Sequence, residues 1–118
     1  MLTLAGNGRL TRDPELRTTQ SGKSVATVSV ASDRRDRDAT AVFINLILWG
    51  ASAEAAAQHL VKGQSVSFAG RFDPRPWTDR NGREGLALEV HNVELEYGAR
   101  PHAAQPDLSV AVEQAPAA

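Results

Sequence analysis

The chain has 118 residues, the size of one domain with a modest core, and 42% of them are apolar. It contains no cysteine, so disulfides and thiolate metal sites are excluded. The net charge is −1, with the cations gathered in local runs. The N-terminal MLTLAGNGRL lacks the features of a signal peptide, and no apolar run approaches the roughly 20 residues of a membrane span. We therefore expect a soluble cytoplasmic protein without a membrane partner.

Apolar alternation predicts five strands, at residues 2–10, 25–32, 41–50, 64–72 and 85–97. In the first strand, Gly6 and Gly8 predict a bulge or a bend. The segment between the first two strands contains the turn pairs Asp13-Pro14 and Ser21-Gly22 and is predicted as a loop. Residues 33–40, DRRDRDAT, are predicted as a charged connection to the third strand.

One short helix separates the third and fourth predicted strands. Ser52 is the predicted N-cap of AEAAAQHLVK, and Gly63 is predicted to end this helix. Its apolar side chains recur at spacings of three and four and form one core-facing stripe: Ala53, Ala56, Ala57, Leu60 and Val61. Further along, Asn81-Gly82 predicts a tight hairpin, and a switch in apolar parity predicts a bulge near His91-Asn92.

The order of three strands, one helix and two strands predicts an all-β barrel. Closure of a five-stranded sheet removes its exposed edges, and a short helix between strands three and four then covers one end. This is the layout of the OB-fold, although periodicity alone leaves other small mixed folds open. The predicted domain spans residues 1–97, and residues 98–118 are predicted as a disordered tail rich in Ala and Pro.

Three aromatic side chains are candidate stacking residues. The third strand has one core face, made of Ile44, Leu46 and Leu48. Its other face carries Phe43 and Trp49 with Asn45 between them, and is either a second buried face or an open aromatic surface. Trp77 lies among arginines in a predicted hairpin with little core. This favours base stacking over an indole folded back on the barrel or buried in a subunit contact.

Several cations would together line a groove and are candidate phosphate ligands: Arg12, Arg17, Lys23, Arg34, Arg35, Arg71 and Arg75. For any single one, a surface position with local ion pairs explains the residue equally well. The histidines show no metal-ligand spacing, and no nucleophile lies beside a base. We therefore predict no enzyme activity, no metal and no cofactor.

Ordered motifs give the chain a family resemblance. GRLTRDPELR, SGKSVATVSVAS, FINLILWG, AEAAAQHLVKGQSVSFAGRF and WTDRNGRE…LEV resemble the bacterial single-stranded DNA-binding proteins in order and spacing, through residues 2 to about 97. The resemblance implies an OB-fold homotetramer that coats single-stranded DNA at the nucleoid during replication, recombination or repair. It implies base stacking by Phe43, Trp49 and Trp77, and so an open aromatic face. It implies phosphate binding by Arg17, Lys62 and Arg75.

The sequence also departs from the family pattern. The connection at 33–40 is short and has no aromatic residue, and Asn45 and Ala51 stand where relatives often hold cations. These changes predict weaker binding per subunit or a smaller site. The tail contains only Asp107 and Glu113 as acids, which argues against recruitment of repair and replication proteins through an acidic tip. The alternative function is an OB-fold protein-interaction or primosome accessory module with weak nucleic-acid binding.

Overall fold

The computed structural model describes residues 1–32 and 41–99. These ranges contain eight strands and one helix. In chain order they are β1 (Leu2–Leu10), β2 (Glu15–Thr18), β3 (Ser24–Ser32), β4 (Phe43–Trp49), α1 (Gly50–His59), β5 (Ser65–Phe72), β6 (Arg75–Thr78), β7 (Glu84–Ala87) and β8 (Glu89–Tyr97).

Five of the strands close into a barrel. β1 pairs with β5, β5 with β8, β8 with β4, β4 with β3, and β3 again with β1. All these pairings are antiparallel except that of β4 and β8, which is parallel and covers only Asn45↔Glu89 and Leu46↔Val90. The closed barrel has its helix between the third and fourth barrel strands, so the predicted OB-fold is confirmed.

The interior of the barrel contains the core face predicted for the third barrel strand. Ile44, Leu46 and Leu48 are buried there, and α1 adds Ala53 and Ala56 to the same cluster, with Leu60 at its C-cap. Burial of each large aliphatic side chain contributes about 1.5–3 kcal/mol. The alternation of β4 is therefore set by the core, and every second side chain of this strand faces outward.

The segment predicted as a loop between the first two strands contains β2, so that prediction is wrong. β2 pairs with β3 from Glu15↔Thr27 to Thr18↔Ser24, at the edge of the sheet. All of its residues are exposed, so it carries no apolar alternation. Backbone pairing with β3, rather than burial, makes this segment a strand.

Two further details of the first half differ from the prediction. The pairing of β1 with β5 runs without a register shift, so the bulge that was one alternative at Gly6 and Gly8 is absent, while the bend stays a prediction; a Cβ at Gly8 would clash with the Ala31 carbonyl oxygen, so this glycine permits a close approach to β3. The helix begins at Gly50 with Trp49 as its N-cap, not at Ser52, and ends at His59. β4 turns directly into α1 at Gly50, whose positive φ of 61° suits a glycine. The N-cap residue Trp49 makes no side-chain hydrogen bond to the helix.

The second half agrees more closely with the sequence. β6 and β7 form the hairpin predicted from Asn81-Gly82, although its loop, residues 79–83, is longer than a tight turn and is closed by Asp79. The pairing of β5 with β8 shifts register opposite His91-Asn92, and Asn92 has a φ of 52°, so the predicted bulge is confirmed.

The last predicted strand is in fact two strands, β7 and β8. They separate at Leu88, whose carbonyl accepts a hydrogen bond from the Asn45 N–H of β4 at 2.8 Å. At the end of β8, Gly98 and Ala99 hydrogen-bond to the backbone of Ser65. The predicted connection at 33–40, with Arg34 and Arg35, and the rest of the predicted tail, residues 100–118, lie outside the described residues.

Candidate nucleic-acid interface

The outer face of β4 is an open aromatic surface. We call the outward residues Phe43, Asn45, Ile47 and Trp49 the β4 face. Phe43 is 63% exposed and Trp49 is 47% exposed. The two rings are six residue steps apart along the strand, which corresponds to about 20 Å. The β4 face is therefore not a second buried face, and two rings flank its polar centre.

Asn45 at that centre has a partner. The Ser29 hydroxyl of β3 donates a hydrogen bond to Asn45 Oδ1 at 2.9 Å, and both residues are half-buried. This bond satisfies the amide oxygen without covering the rings on either side. A polar residue between two aromatics is thus compatible with a face that remains open to solvent.

Strand pairing places Arg17 in the same row as Trp49. Arg17 of β2 pairs with Val25 of β3, and Val25 pairs with Trp49 of β4. Register partners point to the same side of a sheet, and two strand spacings amount to about 10 Å. The exposed side chain of Arg17 therefore lies on the same side of the sheet as Trp49, two strands away. The pairing of β2 with β3 is what places it there.

Trp77 lies on the hairpin formed by β6 and β7, which we call the arm. It pairs with Gly85, and its indole packs on the backbone there, since a Cβ at Gly85 would be 2.4 Å from Trp77 Cζ2. The ring nevertheless stays 46% exposed. Its support comes from the arm itself, not from the barrel, so it is not folded back on the core.

The other candidate cations divide into separate groups. Asp13 Oδ1 accepts a hydrogen bond from the Lys62 N–H at 2.8 Å, which brings Lys62 beside the loop that carries Arg12. Lys23 is exposed in the turn between β2 and β3, one residue before β3. Arg71 is exposed on β5, and β8 lies between β5 and β4, so Arg71 is not part of the β4 face.

Arg75 begins the arm and is held by an ion pair that the sequence analysis missed. Its Nε lies 3.5 Å from Glu89 Oε1, and the same oxygen lies 3.0 Å from His91 Nε2. Asp73 Oδ2 lies 3.8 Å from that histidine nitrogen. We call these four residues the arm root. The spacing of two between Glu89 and His91 puts both on one face of β8, but nothing local in the sequence relates them to Arg75.

Comparison with known proteins agrees with this architecture. A family model described as the single-strand binding protein family matches residues 3–97. The chain belongs to this family. The match covers all of the barrel except its first residue, together with the arm, and thus every candidate stacking residue.

Curated relatives of the family are similar over the same region. Single-stranded DNA-binding protein 1 of Staphylococcus aureus (strain MSSA476) is 41% identical over 87 residues, which cover 70% of this chain and 56% of that protein. Single-stranded DNA-binding protein 3 of Clostridium acetobutylicum is 34% identical over 94 residues, covering 76% and 65%. The single-stranded DNA-binding protein of Halalkalibacterium halodurans is 39% identical over 94 residues, covering 76% of this chain and 56% of that protein. The chain thus spans between about half and two thirds of the length of these relatives.

The described ranges hold neither a metal-binding cluster nor a membrane-spanning helix. No group of three or more His, Asp or Glu side chains within residues 1–32 and 41–99 is arranged to hold a metal ion. Within the same ranges, no helix is long and apolar enough to cross a membrane; α1 has ten residues.

Proposed function

We propose that this chain binds single-stranded DNA without sequence preference, by stacking bases on Phe43, Trp49 and Trp77. The observation that carries the proposal is the exposure of these rings, which ranges from 46% to 63%. A small barrel would gain about 1.5–3 kcal/mol from burying each of them. Their exposure is therefore a cost to stability that a binding role explains. Membership of the single-strand binding protein family and the printed names of the relatives support the same function.

Stacking and phosphate contacts have different parts in this proposal. Each stacked base contributes about 1–3 kcal/mol, and every base offers a π-face, so stacking tolerates any sequence. The cations Arg12, Arg17, Lys23, Lys62, Arg71 and Arg75, with Arg34 and Arg35, neutralise phosphates. Because the net charge of the chain is −1, the attraction for DNA phosphates comes from local groups of cations and not from the protein as a whole. Each phosphate contact adds about 0.7 to the salt slope of binding.

We propose further that the chain acts as a homotetramer at the nucleoid in the cytoplasm, in replication, recombination or repair, without catalysis. The outer side of β1 and β5 supports self-association, since it carries small side chains in register, including Ala5↔Ala69 and Asn7↔Ser67. A sheet face of this kind can pack closely on a second copy. Sedimentation of the free protein measures the oligomeric state directly.

Fluorescence titration tests the function. Trp49 and Trp77 are the only tryptophans of the chain, so Trp77→Phe leaves a reporter on the β4 face and Trp49→Phe leaves one on the arm. We expect an oligo-thymidine strand to quench both single-tryptophan variants, and Trp77→Ala to weaken binding. A protein-interaction module without a DNA surface would show no quenching in either variant, and that result would remove the proposal.

A further inference from the structure

Ion pairs gather at one place in the described part of the chain. Three close contacts join basic and acidic side chains there: Arg75 to Glu89, His91 to Glu89, and His91 to Asp73. The Asp73 N–H also donates to the Glu89 carbonyl oxygen at 2.8 Å. All of them lie at the arm root, where the arm leaves the barrel, and Glu89 takes part in most of them.

Glu89 lies between the two surfaces that carry the exposed rings. As the first residue of β8 it is the register partner of Asn45, at the centre of the β4 face. Its side chain reaches Arg75, the first residue of β6 in the arm, two positions before Trp77. A substitution of Glu89, a residue of the barrel, therefore alters a contact with the arm.

The Arg75 side chain stays largely exposed to solvent despite its contact with Glu89. The Glu89 side chain is only 15% exposed, whereas that of Arg75 is 65% exposed. The carboxylate approaches Nε at 3.5 Å, and the guanidinium is a planar fork with two further nitrogens at its tip. An ion pair on the Nε side draws the guanidinium toward Glu89, while the high exposure of the side chain leaves its tip open to an acceptor in solvent.

We propose that Glu89 is a positioning residue for single-stranded DNA binding, which aims the guanidinium of Arg75 at a phosphate beside Trp77. The inference rests on the proposed function, because it says how one of its cations is placed. A carboxylate that competed with phosphate would occupy the tip of the fork in a bidentate pair. Here the contact is with the side nitrogen Nε, and His91 Nε2–H donates to the same carboxylate oxygen at 3.0 Å, which orients the carboxylate.

Salt-dependent binding of an oligo-thymidine strand tests the inference. We expect Arg75→Ala and Glu89→Ala each to lower the salt slope by about 0.7, the contribution of one phosphate. Each should lower affinity about tenfold at low salt, as for one hydrogen bond to a charged group. The double variant should bind like either single variant, because both changes remove the same contact. Glu89→Gln keeps an acceptor for Nε–H and should restore most of the slope lost in Glu89→Ala.

Glu84→Ala is the matched control. Glu84 is an exposed carboxylate on β7 of the same arm, its neighbour in the chain is the Gly85 that supports Trp77, and no salt bridge to it occurs among residues 1–32 and 41–99. Its removal should leave the salt slope unchanged. If loss of any carboxylate on the arm lowered the slope equally, the assignment to Glu89 would be wrong.

Arg75→Lys decides the question even if Glu89→Ala does not fold. An ammonium group keeps the charge but cannot offer one nitrogen to Glu89 and two more to phosphate. We expect this exposed variant to lose affinity as Arg75→Ala does, while its retained charge keeps most of the salt slope. Wild-type binding by Arg75→Lys overturns the inference. Tighter binding with a steeper slope in both Glu89→Ala and Glu89→Gln also overturns the inference, since it shows that Glu89 competes with phosphate for Arg75. Absence of binding by the wild-type protein instead removes the proposed function itself.

Discussion

The most direct test of the interface is the glycine beneath Trp77. In Gly85→Ala the new Cβ would lie 2.4 Å from Trp77 Cζ2 and 2.7 Å from Cε2. Carbon atoms in contact are about 3.5–4.0 Å apart, so the indole must move by more than about 1 Å. Loss of one stacked base costs about 1–3 kcal/mol, which weakens binding by roughly 5-fold to 150-fold.

The assay separates a moved ring from a damaged fold. In a Trp49→Phe background, Trp77 is the only tryptophan, so its emission reports the ring before DNA is added and its quenching reports the contact afterwards. The barrel core does not include Gly85, so the unfolding midpoint should stay at that of the parent. Glu84→Ala, a change one residue away, should bind normally. Unaltered affinity and quenching in Gly85→Ala would refute the placement of Trp77 as a stacking ring.

Three further predictions concern the barrel. Burial raises the pKa of Tyr97, so the folded state favours the neutral phenol. The resulting stability is complete below pH 10 and declines as pH rises through the raised pKa. Absorbance titration of this single tyrosine, which is 42% exposed, should show that raised pKa, Tyr97→Phe should lessen the decline, and an ordinary titration near 10 contradicts it. Leu46→Ala removes a fully buried side chain and should lower the free energy of unfolding by about 2–5 kcal/mol in urea; a loss under 1 kcal/mol would place Leu46 outside the core. Ser29→Ala removes the hydrogen bond to Asn45 and should lower the free energy of unfolding by about 0.5–1.5 kcal/mol. An unchanged free energy would mean that water replaces the hydroxyl.

The sequence predicted those parts of the fold that burial controls. One side of β4 must fill the barrel, so Ile44, Leu46 and Leu48 had to alternate with residues of another kind. The same constraint made the bulge at His91-Asn92 readable, because inserting one residue switches the apolar parity of the strand. The outward position of Phe43 and Trp49 followed from the same alternation, but their exposure did not.

Parts of the site that depend on backbone pairing or on long-range contacts were not readable. β2 has no buried residue, so nothing in its composition indicates a strand, and yet its register places Arg17 in line with Trp49. The contact of Arg75 with Glu89 joins residues on different strands through a single carboxylate oxygen. Only the folded chain determines which of many exposed charges meet.

The three rings belong to two structural units, and this division decides how they act together. Phe43 and Trp49 lie on a barrel strand that is paired on both sides, whereas Trp77 lies on a two-stranded hairpin. A hairpin of two strands is at best marginally stable alone, so the arm relies on its own packing at Gly85 and on the ion pairs of the arm root. A strand of DNA that spans both units gains the full sum of its stacking energies only if the arm is already ordered before binding, since ordering it otherwise subtracts from the affinity. The contribution of Trp77 should therefore depend on Glu89, while the contribution of Phe43 should not. A double-variant cycle of Trp77→Ala with Glu89→Ala should show coupling, and the same cycle with Phe43→Ala should be additive; equal coupling in both cycles would contradict this division.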